Sequence, residues 1–222
     1  MIQAQNKLLI AAMPSSGSDW FADCLLKSSA QLVTHATAKE PLNPICNLDH
    51  FDVLAKVFGC EAEPAIASIA ASPSQSQVDE VLPIALGPQV NFIKEVWVGY
   101  QLPQLQQHFH TITLTRSYDN TFPPSRVRVY SWYLALARSI ELNLELNHHA
   151  NLSKMFRYRV VTAHRMYQKL LQQHSNHLAW EHLMEADIFQ LQATFRSLQL
   201  DRFADVEQLA SIITTTRQQR KI

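Results

Sequence analysis

Ser15, Ser16 and Ser18 surround Gly17 in the stretch PSSGSDW, and Asp19 and Trp20 close it. The apolar run Leu8–Met13 precedes this stretch, and an amphipathic segment opens at Asp19. A strand, a tight turn and a helix N-terminus in that order hold anions well, because the helix start offers N–H groups without intrahelical partners and the positive end of a dipole. Serine hydroxyls add further donors. The turn holds neither lysine nor arginine, so any positive side chain must come from elsewhere. The nucleotide loop GxxxxGK followed by Ser or Thr is absent, and with it the usual means of holding a magnesium nucleotide.

The histidines are the residues that could serve metal chemistry. His108 and His110, His148 and His149, and His174 and His177 lie close in sequence, but no cysteine or carboxylate joins them at a zinc spacing, and HExxH is absent. They read as surface or interface histidines, and no metal is expected. Lys154, Arg157, Arg159 and Arg165 give one helix a basic face, which reads as solvated or as attractive to an anionic acceptor such as a polysaccharide.

The elements that must position the turn follow from apolar patterning. Leu8–Met13, Gln31–Ala36, Val90–Val96, Thr111–Thr115 and a short late run, His177–Trp180, read as buried strands. Helical spacing alternates with them. Val127, Tyr130, Leu134, Ala137, Ile140 and Leu144 form one stripe between Ser125 and Asn147, and Phe156, Val160, Ala163, Tyr167 and Leu170 form the next. Ile188, Leu191, Phe195 and Leu198 mark a third helix, and Val206, Leu209 and Ile213 a fourth. Alternation of this kind predicts parallel strands joined by helical crossovers. Residues 48–88 fit poorly, with a Ser/Gln/Pro segment at Ala71–Gln77, and read as an insertion over the sheet's carboxyl edge. One domain spanning 1–222 is expected, with no internal repeat.

Bulk properties narrow the classes further. The 222 residues carry a formal net charge of zero and are 47% apolar, which suits a buried core and gives no electrostatic footprint for nucleic acid. Cys24, Cys46 and Cys60 form no CxxC pair, a pattern that suits a reducing cytoplasm. Lys7 and the run after it imitate the start of a signal peptide. The run is short, however, and a helix-starting turn replaces the cleavage pattern, so a buried first strand is expected. No run reaches the length of a membrane span.

The turn resembles the 5′-phosphosulfate loop of sulfotransferases, roughly Pro-(Lys/Arg)-Ser-Gly-Thr-Thr followed by Trp or another large apolar residue. Pro14, Ser16, Gly17 and Trp20 match it, and Ser18 is a mild change from threonine. Further segments follow in register. Thr111–Ser125 resembles the family's 3′-phosphate element, with Arg116 and Ser125 at the matching positions and one residue more between them than is usual. Pro123 and Pro124 suit the first turn of the helix that follows. His177–Leu200 is similar to a late segment that runs strand, Tyr/Trp-Glu-Asp-Leu, then a helix ending near Phe-Leu-Gly-Leu. Lys39–Pro44 falls where several family branches place a catalytic glutamate. The carboxyl-terminal Arg-Lys-Gly-x-x-Gly element of cytosolic members is missing, and only Arg217–Lys221 offers charge there.

The resemblance implies a three-layer α/β/α fold with a central parallel sheet, of the P-loop NTPase-like sulfotransferase kind. It implies sulfuryl transfer from 3′-phosphoadenosine 5′-phosphosulfate to a hydroxyl or amine of a small-molecule or carbohydrate acceptor, without metal. Donor binding falls to Ser15, Ser16, Gly17, Ser18, Asp19, Trp20, Arg116 and Ser125. Glu40 is the implied general base, against a reading as a solvated loop carboxylate, with Glu95 and His35 as rivals. Lys94, near the sheet's carboxyl edge, would hold the transferring group, against a reading as a snorkelling surface lysine. Trp20 reads as a core anchor or as an adenine neighbour. Two departures bear on activity: Ser15 replaces the loop's basic residue, and Asp19 replaces a threonine. They open a second reading, a relative that keeps the fold and binds a nucleotide or partner without catalysis. A P-loop kinase with an unusual loop is the third.

Overall fold

The computed structural model describes residues 6–13, 16–34, 86–96, 98–99, 102–117 and 168–218. Ser15, His35, Glu40 and Ser125 lie outside them, as do nearly all of the 48–88 segment, both helical stripes between Ser125 and Tyr167, and Cys46 and Cys60. Among the described residues four strands form one sheet: β1 (Leu8–Ala12), β2 (Phe92–Glu95), β3 (His110–Thr115) and β4 (His177–Ala179). The described helices are α1 (Ser18–Lys27), α2 (Leu102–Leu105), α3 (Trp180–Glu185), α4 (Ile188–Ser197) and α5 (Val206–Gln218). A 3-10 turn at Leu200–Arg202 lies between α4 and α5.

The strand order is β2-β1-β3-β4, and every pair is parallel. Each residue of β1 is fully buried, as expected for an unbroken apolar run covered on both faces. Ile10 is in register with Lys94 on one side and with Ile112 on the other, so these three share a face. Ala11, Glu95 and Thr113 share the opposite face by the two-residue alternation of strands. On the Ile10 face lie α1, reached by Lys94, and the 198–203 corner, reached by His110. On the Thr113 face, the Thr113 hydroxyl donates to the carbonyl of Leu171, at 2.8 Å, in the helical residues 168–172. Helices therefore cover both faces of a parallel sheet, which makes three layers. Among the described residues, no helix is long and apolar enough to cross a membrane.

The expected second strand is corrected. Gln31–Thr34 is not a strand, although Leu32 is buried. The Asn91 side chain holds it instead, accepting from the Val33 N–H at 2.7 Å and donating to the Gln31 carbonyl at 2.9 Å. The Val33 carbonyl also accepts from the backbone N–H groups of Asn91 and Phe92, each at 3.1 Å, so the segment touches the start of β2 without forming a ladder. The late strand is also shorter than the apolar run, because Trp180 already begins α3.

The carboxyl-terminal helices owe their ends to local chemistry. Asp187 and Gln190 form a capping box at the start of α4. Gln199 takes a left-handed φ of 56° directly after α4, between the buried Leu198 and Leu200. Leu191 and Phe195 of α4 bury themselves with Leu209 and Ile213 of α5, and Phe195 meets Phe21 of α1 with ring centroids 6.2 Å apart.

His110 is buried, and His174 and His177 are half-buried. His110 donates Nε2–H to the Leu198 carbonyl at 2.8 Å and stacks on Phe203, and His177 shares a 2.8 Å hydrogen bond with the Thr115 hydroxyl. His174 accepts at Nδ1 from the Asn176 N–H. Burial holds all three below the ordinary histidine value of 6.5. The unfolded chain therefore binds protons first as pH falls, so this contribution is complete above about pH 6.5 and is lost below it. Thermal unfolding followed from about pH 7.5 to about pH 5.5 should show a falling Tm, and His110→Gln should shallow the slope. A flat profile would contradict this account.

Candidate functional site

The site lies at the carboxyl edge of the sheet. Strand β1 has β2 on one side and β3 on the other, so the chain steps one way from β1 and then crosses back. In open parallel sheets the crevice at such a reversal, beyond the carboxyl ends of the strands, is where ligands bind. The turn after β1 and the Arg116–Ser117 segment after β3 flank that crevice.

The turn forms as soon as β1 runs out of partners. The Met13 N–H still donates to Leu114, at 2.9 Å, and the Ser16 N–H then closes back on the Met13 carbonyl at 3.1 Å. Gly17 follows at φ 84°, ψ 15°, a left-handed cap that a residue with a Cβ rarely adopts. The first helical bond runs from the Phe21 N–H to the Gly17 carbonyl, 3.1 Å. The cap is a glycine, so no side chain of its own covers the helix start. Ser16 and Ser18 are buried, and the Ser16 hydroxyl has no hydrogen-bond partner among the described residues.

Trp180, the first residue of α3, forms the wall of this turn. A Cβ built on Gly17 would run into its six-membered ring. Trp20 meets Trp180 edge-on with centroids 5.1 Å apart, and its indole N–H donates to the Thr216 hydroxyl of α5 at 3.2 Å. Trp20 is therefore a core residue joining α1 to α5. The Arg116 guanidinium lies 5.3 Å from the Trp180 ring centroid, within cation–π range. The next residue of α3, Glu181, accepts from the Ser117 N–H at 2.7 Å.

Asp19 and Lys94 meet at the same edge. Lys94 Nζ sits 3.0 Å from Asp19 Oδ1, with the lysine side chain 7% exposed and the aspartate 66%. A buried ammonium needs a counter-charge, and Asp19 supplies one from the first turn of α1. Asp19 is thus no isolated negative charge, and Lys94 is neither at the surface nor snorkelling. Lys94 thus reaches the first turn of α1 from β2, where Asp19 balances its charge. Glu95, the next residue, is fully buried on the other face of the sheet.

Of the sequence-expected site residues, Ser16, Gly17, Ser18, Asp19, Trp20, Lys94 and Arg116 gather at this edge. Ser15, Glu40, Ser125 and His35 lie outside the described residues. Arg217 does not reach the site, since its guanidinium donates to the carbonyls of Leu183 and Ala186 at 3.2 and 2.6 Å. Among the described residues no cluster of His, Cys, Asp and Glu could hold a metal ion. Sequence reasoning missed Trp180 and Glu181 as parts of the site. The signal was available, because they are the aromatic and acidic residues of the late strand–helix segment, but their contacts are tertiary.

No family model and no curated protein matches the chain. Among solved structures it is similar to one titled "Sulfotransferase Domain from the Curacin Biosynthetic Pathway", at 14% identity, covering 94% of this chain and 83% of that one, with a TM-score of 0.39. That degree of likeness assigns no family.

Gly17→Ala should destabilise the fold by about 2–4 kcal/mol, combining the left-handed strain with overpacking against Trp180. In a Trp180→Ala background the same substitution should cost only about 1–2 kcal/mol, the strain alone. Urea denaturation of the four proteins tests this. Equal costs in both backgrounds would show that the indole does not press on the turn.

Proposed function

We propose that the chain is a sulfotransferase-like protein that binds 3′-phosphoadenosine 5′-phosphosulfate at the turn between β1 and α1 and moves its sulfuryl group to a hydroxyl or amine. One observation carries the reading. The glycine-capped start of α1 and Arg116 stand on either side of the β1/β3 reversal, where the loop and 3′-phosphate elements of the sequence resemblance require an anion. The residues present fit such a group. Gly17 leaves the helix start without a side-chain cap, and the buried Ser16 hydroxyl has donor capacity to spare among the described residues. Gln199 supports the reading from a distance, because it holds a left-handed φ between Leu198 and Leu200, where the family's Phe-Leu-Gly-Leu has glycine.

The donor supplies an activated sulfuryl group on a phosphate leaving group. The Ser16 N–H closes the turn on Met13, so the backbone N–H groups from Gly17 to Asp19 and the hydroxyls of Ser15, Ser16 and Ser18 hold the 5′-phosphate. Arg116 pairs with the 3′-phosphate, and Ser125 adds a hydrogen bond. Lys94 offsets the charge that builds on the leaving oxygen as the bond from sulfur breaks. Glu40 takes the acceptor's proton as the new oxygen–sulfur or nitrogen–sulfur bond forms. The acceptor is a small molecule or carbohydrate, and no metal takes part.

The Asp19–Lys94 pair also favours a second reading, a protein that binds the nucleotide without transfer, since the lysine is engaged and Ser15 supplies no charge. Turnover separates the two. Glu40→Gln should lower the transfer rate by roughly a hundredfold or more while donor affinity holds. Absence of any transfer in the wild type, with nucleotide binding intact, selects the second reading.

Binding is the direct test of the site. Adenosine 3′,5′-diphosphate should raise the Tm more than adenosine 5′-monophosphate does, and Arg116→Ala should remove that preference. Asp19→Thr should tighten the diphosphate by removing a like charge and releasing Lys94 toward it. Equal shifts from both nucleotides in the wild type would overturn the assignment.

A further inference from the structure

The carboxyl end of β4 touches both halves of the candidate site. Trp180 faces Gly17 so closely that no Cβ fits between them, and its ring also lies under the Arg116 guanidinium, at 5.3 Å. Glu181 takes the Ser117 N–H at 2.7 Å, which anchors the backbone one residue past Arg116. Side chain and backbone of the segment after β3 are therefore gripped by two consecutive residues of another strand's end. Trp180 is itself held, being 7% exposed and packed edge-on against Trp20. An arginine carries several rotatable bonds, and leaving it unrestrained loses that freedom on binding. A planar indole beneath a planar guanidinium limits those rotamers beforehand.

We propose that Trp180 and Glu181 are positioning residues. Trp180 fixes the Arg116 guanidinium at a set distance from the Gly17 turn, Glu181 fixes the backbone beneath it, and together they set how strongly the site prefers a ligand with two phosphates over one with only the 5′-phosphate. This rests on the reading of Arg116 as the 3′-phosphate ligand. Neither residue touches the ligand in this role. The spacing between the two anion subsites is a property of the β4 corner.

The experiment is calorimetric titration of the full chain with adenosine 3′,5′-diphosphate and with adenosine 5′-monophosphate, read as the ratio of the two affinities. Arg116→Ala serves as the control for the underlying reading and should abolish the preference. Trp180→Leu should lower the ratio about fivefold or more, whereas Trp180→Phe, which keeps an aromatic face, should retain most of it. Glu181→Ala should lower the ratio by a smaller factor. It stands on a half-exposed residue, so the test holds even where Trp180→Leu does not fold. A merely structural role would weaken both nucleotides alike and leave the ratio unchanged. If Arg116→Ala abolishes the preference while Trp180→Leu and Glu181→Ala keep it, the positioning role is overturned and the binding site stands. If Trp180→Leu does not fold, an unchanged ratio in Glu181→Ala alone overturns it. If the wild type shows no preference, both fall together.

Discussion

The close approach of Trp180 to Gly17 constrains everything else at the sheet's carboxyl edge. The chain leaves β1, closes a turn on the Met13 carbonyl and must enter α1 within a few residues. The left-handed cap achieves this, and the space beside it is already filled by an indole. Only a residue without a Cβ satisfies both demands. The same indole is fixed by Trp20 and meets Arg116, so one side chain sets the relative placement of α1, the turn and the end of β3. Trp20 extends the chain of contacts through its N–H to Thr216, which brings α5 into the same framework.

Charge at this edge is arranged by burial. Lys94 points from the sheet onto the α1 face, where water is largely excluded, and an ammonium there needs a partner. Asp19 is well placed to provide one, since a carboxylate in a first helical turn is favourable by itself. The pair explains how an acidic residue can occupy a turn that otherwise favours anions. It also brings a cation to a turn whose own residues supply none. The strand alternation that turns Lys94 toward α1 buries Glu95 on the opposite face, so the two neighbours cannot act on one group.

Around this edge the remaining features are supports. The Asn91 side chain holds the segment after α1 beside the start of β2, and the capping box and left-handed Gln199 fix both ends of α4. Arg217 closes the end of α3 through two carbonyls, which ties α5 to the helix that begins with Trp180. The Asn91 amide, the capping box and Arg217 each give a hydrogen-bond partner to backbone groups at the end of an element.

The sequence by itself determined which stretches are strands and helices wherever a repeating pattern carried the signal. The apolar runs at β1, β2 and β3, and the three-and-four spacing of α4 and α5, are local consequences of backbone geometry, so they are legible in one dimension. The turn was legible as well, because glycine among serines between a strand and a helix has few other uses. Gln31–Thr34 misled because Leu32 does pack inward, yet Val33 faces out, and the segment meets the start of β2 through one carbonyl and an asparagine amide rather than through a ladder. What only the tertiary structure decided was which side chains meet at the edge: Asp19 with Lys94, Trp180 with Gly17 and Arg116, and Glu181 with Ser117. Those meetings depend on strand order and register, which bring the carboxyl ends of β1, β2, β3 and β4 side by side, and no local periodicity encodes them.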